Sequence, residues 1–463
     1  MNNRLLFILV AILFLIKIIA INFTNFDLFG DEAQYWLWSK KLDFGYYSKP
    51  PFLAWIISVY TEIFSDNFVS LKLFPSIVYI LTAFAIYDLC KNIGLNKNNS
   101  LSCSLLFLFI PAVSFSSFIL STDIFLLLFW TLSLTQLLKI KKLPKINNFI
   151  QLGIFIGLAF LSKYAAVYFL ICLLIYILLD YEFRVFFIKN FFGFFITIFC
   201  IFLILLPNII WNLKNDWITI QHTSDNANLD NLKINFFRGF EFLFIQIFML
   251  GPFIFIGNII GFKNLNISKN QKMLLIFSIP IFLIVFIEAI IVRANANWAA
   301  PALVTFFLFL FIRLNNNIFK NLNLFFNFIF CIIFFGLIGT SYQSKIFNRI
   351  NGLSEFADYV YNKAYQKNIE NYVVSDRLLF ASMRYQLKDK KVSFHMPHKK
   401  GDPVTNHFKL SSPLKKNMKN SFVLIGSPND IDYLESNFNI FKKEVPEYKF
   451  TKKILNFYEV IFD

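Results

Sequence analysis

Asp31 and Glu32 stand side by side, and Lys49 is followed by Pro50 and Pro51. Paired carboxylates can take or place a proton, and an ammonium can hold an anion. Gly30 permits a turn, and two acids in a first turn suit the helix dipole, so residues 29–41 are predicted as a helix. On it, Asp31 and Tyr35 share one face at i, i+4, and Glu32 and Trp36 share the next. The plain alternative is a pair of acids that merely cap an amphipathic helix. Pro50 biases Lys49 to an extended conformation, and Pro51 suits the first turn of a following helix. An ammonium held just before a helix N-terminus suits a phosphate. The plain alternative is a lysine that snorkels along an apolar surface. Asp123, Lys163 and Arg293 are three further charges at the ends of apolar segments. Their plain alternatives are pairing with nearby acids, Glu288 and Asp123 for the two cations, and helix capping after Ser121 and Thr122 for Asp123.

The chain that must position these residues has 463 residues, 57% hydrophobic and 19% aromatic, with mean hydropathy +0.59. Only 16% are charged, against about 25% in soluble globular proteins. The composition excludes an ordinary cytosolic enzyme and a disordered chain. Five cysteines, Cys90, Cys103, Cys172, Cys200 and Cys331, all lie in or beside apolar runs. They offer no disulfide framework and no metal-ligand spacing. Residues 1–345 hold 25 Lys/Arg and 15 Asp/Glu; residues 346–463 hold 19 and 13, an ordinary soluble density. The division places a membrane domain at 1–341 and a soluble domain at 342–463.

A span needs roughly 20 apolar residues. Candidates are 5–21, 70–89, 101–116, 124–138, 149–161, 165–179, 191–210, 236–260, 273–292, 298–312 and 322–339, about eleven in all. The first is expected as a retained signal anchor. One set of loops carries Lys91, Lys97, Lys139, Lys141, Lys142, Lys145, Arg184, Lys189, Lys263, Lys269, Lys272, Arg313 and Lys320. By the positive-inside rule that set is cytoplasmic, which puts the tail outside. Of the fifteen acids in the membrane half, only Asp88, Asp180 and Glu182 lie on the lysine-rich side. The others gather on the opposite face, mostly in two long loops, 22–69 and 211–235. Insertion does not demand that bias. It reads as solvated loop surface or, more sharply, as a polar chemical site. In the first loop, Tyr35, Trp36 and Trp38 fit an interfacial aromatic belt. In the second, His222 reads as structural, and just beyond it Arg238 and Glu241 are expected to pair at i, i+3.

Gly30-Asp31-Glu32-Ala33-Gln34-Tyr35-Trp36, followed by Tyr46-Tyr47-Ser48-Lys49-Pro50-Pro51, resembles the first outer loop of the glycosyltransferase 39 superfamily. That group contains the protein O-mannosyltransferases and the lipid A aminosugar transferases. Ser121-Thr122-Asp123, Leu161-Ser162-Lys163-Tyr164, Pro207-Asn208-Ile209-Ile210-Trp211-Asn212 and Arg293-Ala294-Asn295-Ala296-Asn297-Trp298-Ala299-Ala300-Pro301 continue the resemblance. Asp376-Arg377, Ala381, Tyr385 and Asn406-His407-Phe408 extend it into the tail. Any one motif is weak; their order and shared face make the set specific.

The resemblance implies a GT-C fold, an α-helical polytopic membrane protein with a small C-terminal α/β periplasmic domain. It implies a bacterial inner-membrane enzyme that moves a sugar from a polyprenyl-phosphate donor to a lipid, glycan or protein acceptor on the periplasmic side. No nucleotide and no nucleic-acid partner are expected. Asp31 is implied as the catalytic carboxylate, with Glu32 supporting it and Asp123 as a second carboxylate. Lys49, Lys163 and Arg293 would bind donor phosphate, and Tyr35, Tyr47, Tyr164, Asn297 and Trp298 would line the substrate. Two positions depart from the aminosugar transferases: Gln34 stands where many have Arg, and Ser48 where Glu is common. No bound metal is therefore predicted; a divalent ion remains the alternative. A lipid-linked sugar flippase and an assembly protein with decayed catalysis are the competing classes. No internal repeat of the transporter kind is visible, and the Asp-Glu and Lys-Pro-Pro motifs are intact.

The tail reads as α/β. Strands are expected at 372–375, 392–395, 422–425 and 453–462, and helices at 355–367 and 378–387.

Overall fold

The computed structural model describes residues 3–227, 233–261, 267–398, 401–415 and 421–426, Leu434, and the backbone of 442–444 and 459–462. Lys263, residues 228–232 of the second loop and residues 453–458 of the last expected strand lie outside the described residues. The chain divides into two compact units. One comprises Met1–Asn22, Lys49–Leu53 and Val69–Leu337; the other comprises Phe23–Ser48, Ala54–Phe68 and Ile338–Asp463.

The first unit is helical. Among the described residues, seven helices are long and apolar enough to cross a membrane, or up to nine if each of two bent pairs is one span. The expected eleven segments are all helical, but they are not all full spans. The segment 101–116 is broken: one helix ends at Phe107, and Pro111 starts another. Proline suits a first turn and biases the residue before it away from helix; Ile110, just before Pro111, is accordingly non-helical. Ile146–Ser162 has 17 residues and falls just short of a full span. Tyr164–Leu179 meets Tyr181–Lys189 at 108°, where Asp180 caps the second helix by accepting from Phe183 N–H. Phe236–Leu250 meets Pro252–Ile260 at 95°, with Gly251 at φ 93° between them.

Asp123–Lys142 carries its acid in the first turn and Lys139, Lys141 and Lys142 in the last. Both ends thus suit the helix dipole. Ile146–Ser162 packs against this helix and against Phe191–Lys214. The second contact is close because it uses glycine. A Cβ on Gly153 would lie 2.6 Å from the carbonyl oxygen of Thr197. Small residues let backbones approach where lipid gives no hydrophobic drive to association.

The second unit joins most of the first long loop to the tail. Its five-stranded sheet has the order β2-β1-β3-β5-β4. The strands are β1 (Asn371–Val374), β2 (Ser393–His395), β3 (Phe422–Gly426), β4 (Lys442–Glu444) and β5 (Glu459–Phe462). β1 pairs in parallel with β2 and β3, while β5 runs antiparallel to β3 and β4. β3 is buried throughout, as its unbroken Phe-Val-Leu-Ile run requires. The short β4 has no strong apolar pattern and was not expected. Helices Leu353–Tyr365 and Arg377–Gln386 match the expected positions within two residues.

Within this unit, Asp27 is buried and anchors the loop to the tail. It accepts from Leu353 N–H at 2.7 Å, Ser354 N–H at 3.3 Å and Gln386 Nε2 at 2.9 Å. Burial raises its pKa, partly offset by the hydrogen bonds from Ser354 and Leu353. Asp66 is a second anchor. Lys388 Nζ lies 2.5 Å from Asp66 Oδ1, Lys40 Nζ 2.9 Å from Oδ2, and Trp36 Nε1 donates to Oδ2 at 3.0 Å. Burial pushes Asp66 up, but the hydrogen bonds from Lys388, Lys40 and Trp36 outweigh it and hold the pKa at about 2.

Candidate functional site

The candidate residues fall into both units. In the helical unit, Asp123 begins its helix with Thr122 as N-cap, and no side-chain cap bond forms there. Lys163 lies between two helices, with extended backbone (φ −159°, ψ 133°). Asn297 lies in the 3₁₀ turn Ala296–Ala299. The three meet: Lys163 Nζ donates to Asp123 Oδ1 at 2.6 Å, and Asn297 Nδ2 donates to Oδ2 at 3.0 Å. The side chains of Lys163 and Asp123 are only 15% and 9% exposed. The carboxylate thus has one oxygen on a cation and the other on an amide. Such a pair sheds water and gains a charge-assisted bond in return.

Beside Lys163, Tyr164 is half-buried. Its hydroxyl donates to Asn208 Oδ1 at 2.9 Å and accepts from Asn212 Nδ2 at 3.2 Å. Trp298 is half-buried next to Asn297. Gln246 Nε2 donates to the carbonyl of Ala296 at 3.1 Å, which ties the same turn to a neighbouring helix. Arg293 is exposed and, among the described residues, makes no hydrogen bond or ion pair. Arg238 donates to the carbonyl of Val292 at 2.5 Å and does not pair with Glu241, as i, i+3 spacing had suggested. The carbonyl at a helix end has no partner within its helix and is satisfied by the guanidinium, whereas an exposed i, i+3 ion pair contributes little. Lys49 is half-buried in this unit, between Ser48 and two buried prolines, and the next helix starts at Phe52.

Two further lysines, to which the motifs assign nothing, are buried in the same unit, Lys17 at 3% and Lys72 at 0% exposure. Lys17 donates to Ser76 Oγ and to the carbonyl of Ser117. Lys72 donates to the carbonyl of Phe118 at 3.4 Å and lies 4.1 Å from its ring centroid. The two ammoniums therefore grip consecutive carbonyls of the turn that leads into Asp123. A charged residue inside an apolar span was the available signal.

In the second unit, Gly30–Ser39 is a helix. Glu32 is fully buried and accepts from Phe29 N–H at 2.8 Å, closing the N-terminus. That bond gives Glu32 a capping role and leaves Asp31, half-exposed, as the outward carboxylate. Arg377 Nη1 lies 3.4 Å from Asp31 Oδ1 and 2.9 Å from Gln34 Oε1. Arg377 belongs to the Asp376-Arg377 segment of the tail, for which the family resemblance implies no role. Tyr35, Trp36 and Trp38 are buried, so an interfacial belt is not what they form. Trp36 packs edge-on against Tyr385, and Trp38 stacks on Tyr46 at 4.5 Å between ring centroids. Tyr35 packs edge-on against Trp38, while Tyr47 is half-buried. His407 packs edge-on against both Trp38 and Tyr46. Burial lowers the His407 pKa to about 4, against the pull of Asp43 and with the push of Lys41. The aromatic run is thus core of this unit, because the tail supplies its other half. Among the described residues no group of three or more His, Cys, Asp or Glu gathers as a metal would need.

Residues 48–211 match the family profile described as dolichyl-phosphate-mannose-protein mannosyltransferase. The chain is 32% identical over 293 residues to the lipid A galacturonosyltransferase RgtD of Rhizobium johnstonii, covering 62% of this chain and 61% of that relative. It is 30% identical over 184 residues to the undecaprenyl phosphate-alpha-4-amino-4-deoxy-L-arabinose arabinosyl transferase of Wigglesworthia glossinidia brevipalpis, covering 35% of this chain and 32% of that one. The chain thus spans about three fifths and one third of the lengths of these relatives. Among solved structures, ArnT from Cupriavidus metallidurans superposes with TM-score 0.66 in the apo state, at 11% identity over 98% of this chain and 97% of that one. Its form bound to undecaprenyl phosphate superposes with TM-score 0.67, at 12% identity over 100% and 98%. At such identities the likeness establishes the fold.

Proposed function

We propose that the chain is a glycosyltransferase of the GT-C superfamily, in its glycosyltransferase 39-like branch, and that it transfers a sugar from a polyprenyl-phosphate donor to a lipid acceptor. The site would face the periplasm from the bacterial inner membrane. Lipid A is the first acceptor to test, because both relatives of at least 30% identity carry transferase names and one names lipid A. The observation that carries the reading is the buried Lys163–Asp123 pair with Asn297 on its second oxygen. Three distant motif segments supply it, at the ends of spans away from the lysine-rich loops.

In the reaction, an acceptor oxygen attacks the anomeric carbon as the bond to the lipid phosphate breaks. Configuration inverts, and charge spreads over an oxocarbenium-like centre. The leaving group is already a phosphate, so it needs neutralising cations more than a proton. Lys49, Lys163 and Arg293 are assigned to that role. Asp31 takes the acceptor proton where the acceptor is a hydroxyl. Where the acceptor is an ionised phosphate, Asp31 instead orients groups around the anomeric carbon. Tyr35 and Glu32, both buried, support the helix that carries Asp31. Tyr47, Tyr164, Asn297 and Trp298 are the candidates for contacts with the sugar or lipid.

Mass spectrometry of lipid A, envelope glycans and glycoproteins from a deletion strain tests this. The expected result is one sugar missing from lipid A. A sugar missing only from a glycan or protein pool would overturn the lipid acceptor, and three unchanged pools would overturn transfer itself.

A further inference from the structure

We infer that Arg377, from the tail, is a positioning residue for Asp31. The inference rests on the assignment of Asp31 given above. Both residues lie in the same unit, 346 positions apart in sequence. The sequence builds the contact in three steps. Asp376 caps the helix Arg377–Gln386 by accepting from Leu378 and Leu379 N–H at 2.9 and 2.8 Å. The cap fixes where that helix begins, and so places Arg377 at its first position. The helix then lies along Gly30–Ser39. A Cβ on Gly30 would come 2.6 Å from Leu378 Cβ, and Tyr385 packs on Trp36 with ring centroids 5.0 Å apart. Contacts at both ends hold the two helices side by side. Finally, Asp31 and Gln34 are i, i+3 neighbours on one helix face, and one nitrogen of Arg377 reaches both.

The Gln34 carbonyl takes the better bond, 2.9 Å against 3.4 Å. Gln34 therefore steers the guanidinium, and the guanidinium sets the orientation and charge environment of the carboxylate. Gln34 is 2% exposed, whereas Asp31 remains half-exposed and open to a reactant. Arg377 itself is about a third exposed. The tail thus completes the setting of a loop carboxylate instead of merely covering it.

The test uses full-length protein in vesicles, with undecaprenyl phosphate-4-amino-4-deoxy-L-arabinose and polyprenyl-phosphate galacturonic acid offered in turn as donors and lipid A as acceptor. Arg377→Ala is expected to lower kcat roughly tenfold to a hundredfold, the range of one charge-assisted hydrogen bond. KM should change less than threefold and the melting temperature should hold. Two variants must restore at least part of the loss: Arg377→Lys, which keeps a cation, and Gln34→Arg in the Arg377→Ala background, which supplies a guanidinium from the same helix face. Wild-type kcat in Arg377→Ala, or a loss that neither variant restores, would overturn the inference. The parent reading fails separately, through Asp31→Asn with wild-type turnover or through wild-type protein that turns over neither donor. Inactive Asp31→Asn beside normal Arg377→Ala would leave the parent reading standing and remove only this one.

Discussion

Lys163 Nζ lies 2.6 Å from Asp123 Oδ1, with both side chains more than four fifths buried. The two residues come from different helix ends 40 positions apart, and Asn297 holds the other carboxylate oxygen. Removing one member of a buried pair strands the other and typically costs about 3–5 kcal/mol. Lys163→Met and Asp123→Asn should each lower the melting temperature in detergent and reduce transfer roughly a hundredfold. The double variant should be no worse than the poorer single one. Additive losses would show that the pair does not act as a unit.

Asn297→Ala leaves the ion pair intact and removes one amide donor to the carboxylate. A hydrogen bond to a charged group contributes about 1.5–3 kcal/mol. Transfer should therefore fall roughly tenfold to a hundredfold, less than for Lys163→Met. Equal loss in the two variants, read in the same vesicle assay, would contradict the ranking.

His407 gives the second unit an acid sensitivity. Its folded pKa is depressed to about 4 from 6.5, chiefly by burial. As pH falls from 6.5 towards 4, the unfolded chain takes up a proton that the folded chain does not. Stability attributable to His407 is therefore lost across that window and is constant below it. Asp66, held at about 2 against 3.8, adds a loss of the same sign only at lower pH, while buried Asp27 works the other way. His407→Phe keeps a ring against Trp38 and Tyr46. Its melting temperature should vary less with pH between 6.5 and 4 than that of the wild type. Identical slopes would remove the assignment.

Gly30→Ala tests the packing of the loop helix on the tail helix. The added Cβ would meet Leu378 Cβ and Cα at 2.6 and 3.2 Å, and the second atom is backbone. Overpacking of this kind costs about 1–3 kcal/mol. The melting temperature should drop, whereas Gly336→Ala, with nothing within 4 Å of its Cβ, should match or exceed the wild type.

The apolar helices were legible because periodicity and length suffice where lipid is the solvent. The breaks at Pro111 and Gly251-Pro252 depend on local backbone, and runs such as 236–260 stay apolar straight through them. β1, β2 and β3 were readable from short apolar runs, β4 was not. The candidate site was readable as residue types but only partly as contacts. Asp123, Lys163 and Asn297 were named from separate motifs, and their meeting is a tertiary fact. The burial of Trp36 and Trp38 was illegible because an aromatic on an amphipathic helix looks the same against lipid as against Tyr385 or His407. Arg377 was hidden for the same reason: its partner lies 346 residues away, and nothing local marks it.

Sugar transfer from a polyprenyl phosphate through Asp31 can be read directly. Its most direct measurement is transfer of labelled sugar to lipid A in vesicles carrying wild-type protein or Asp31→Asn, with folded protein matched by melting temperature. The expected result is turnover by the wild type and a loss of roughly a hundredfold or more in Asp31→Asn. Equal turnover by the two proteins, or movement of the donor across the membrane with no transfer, would contradict it.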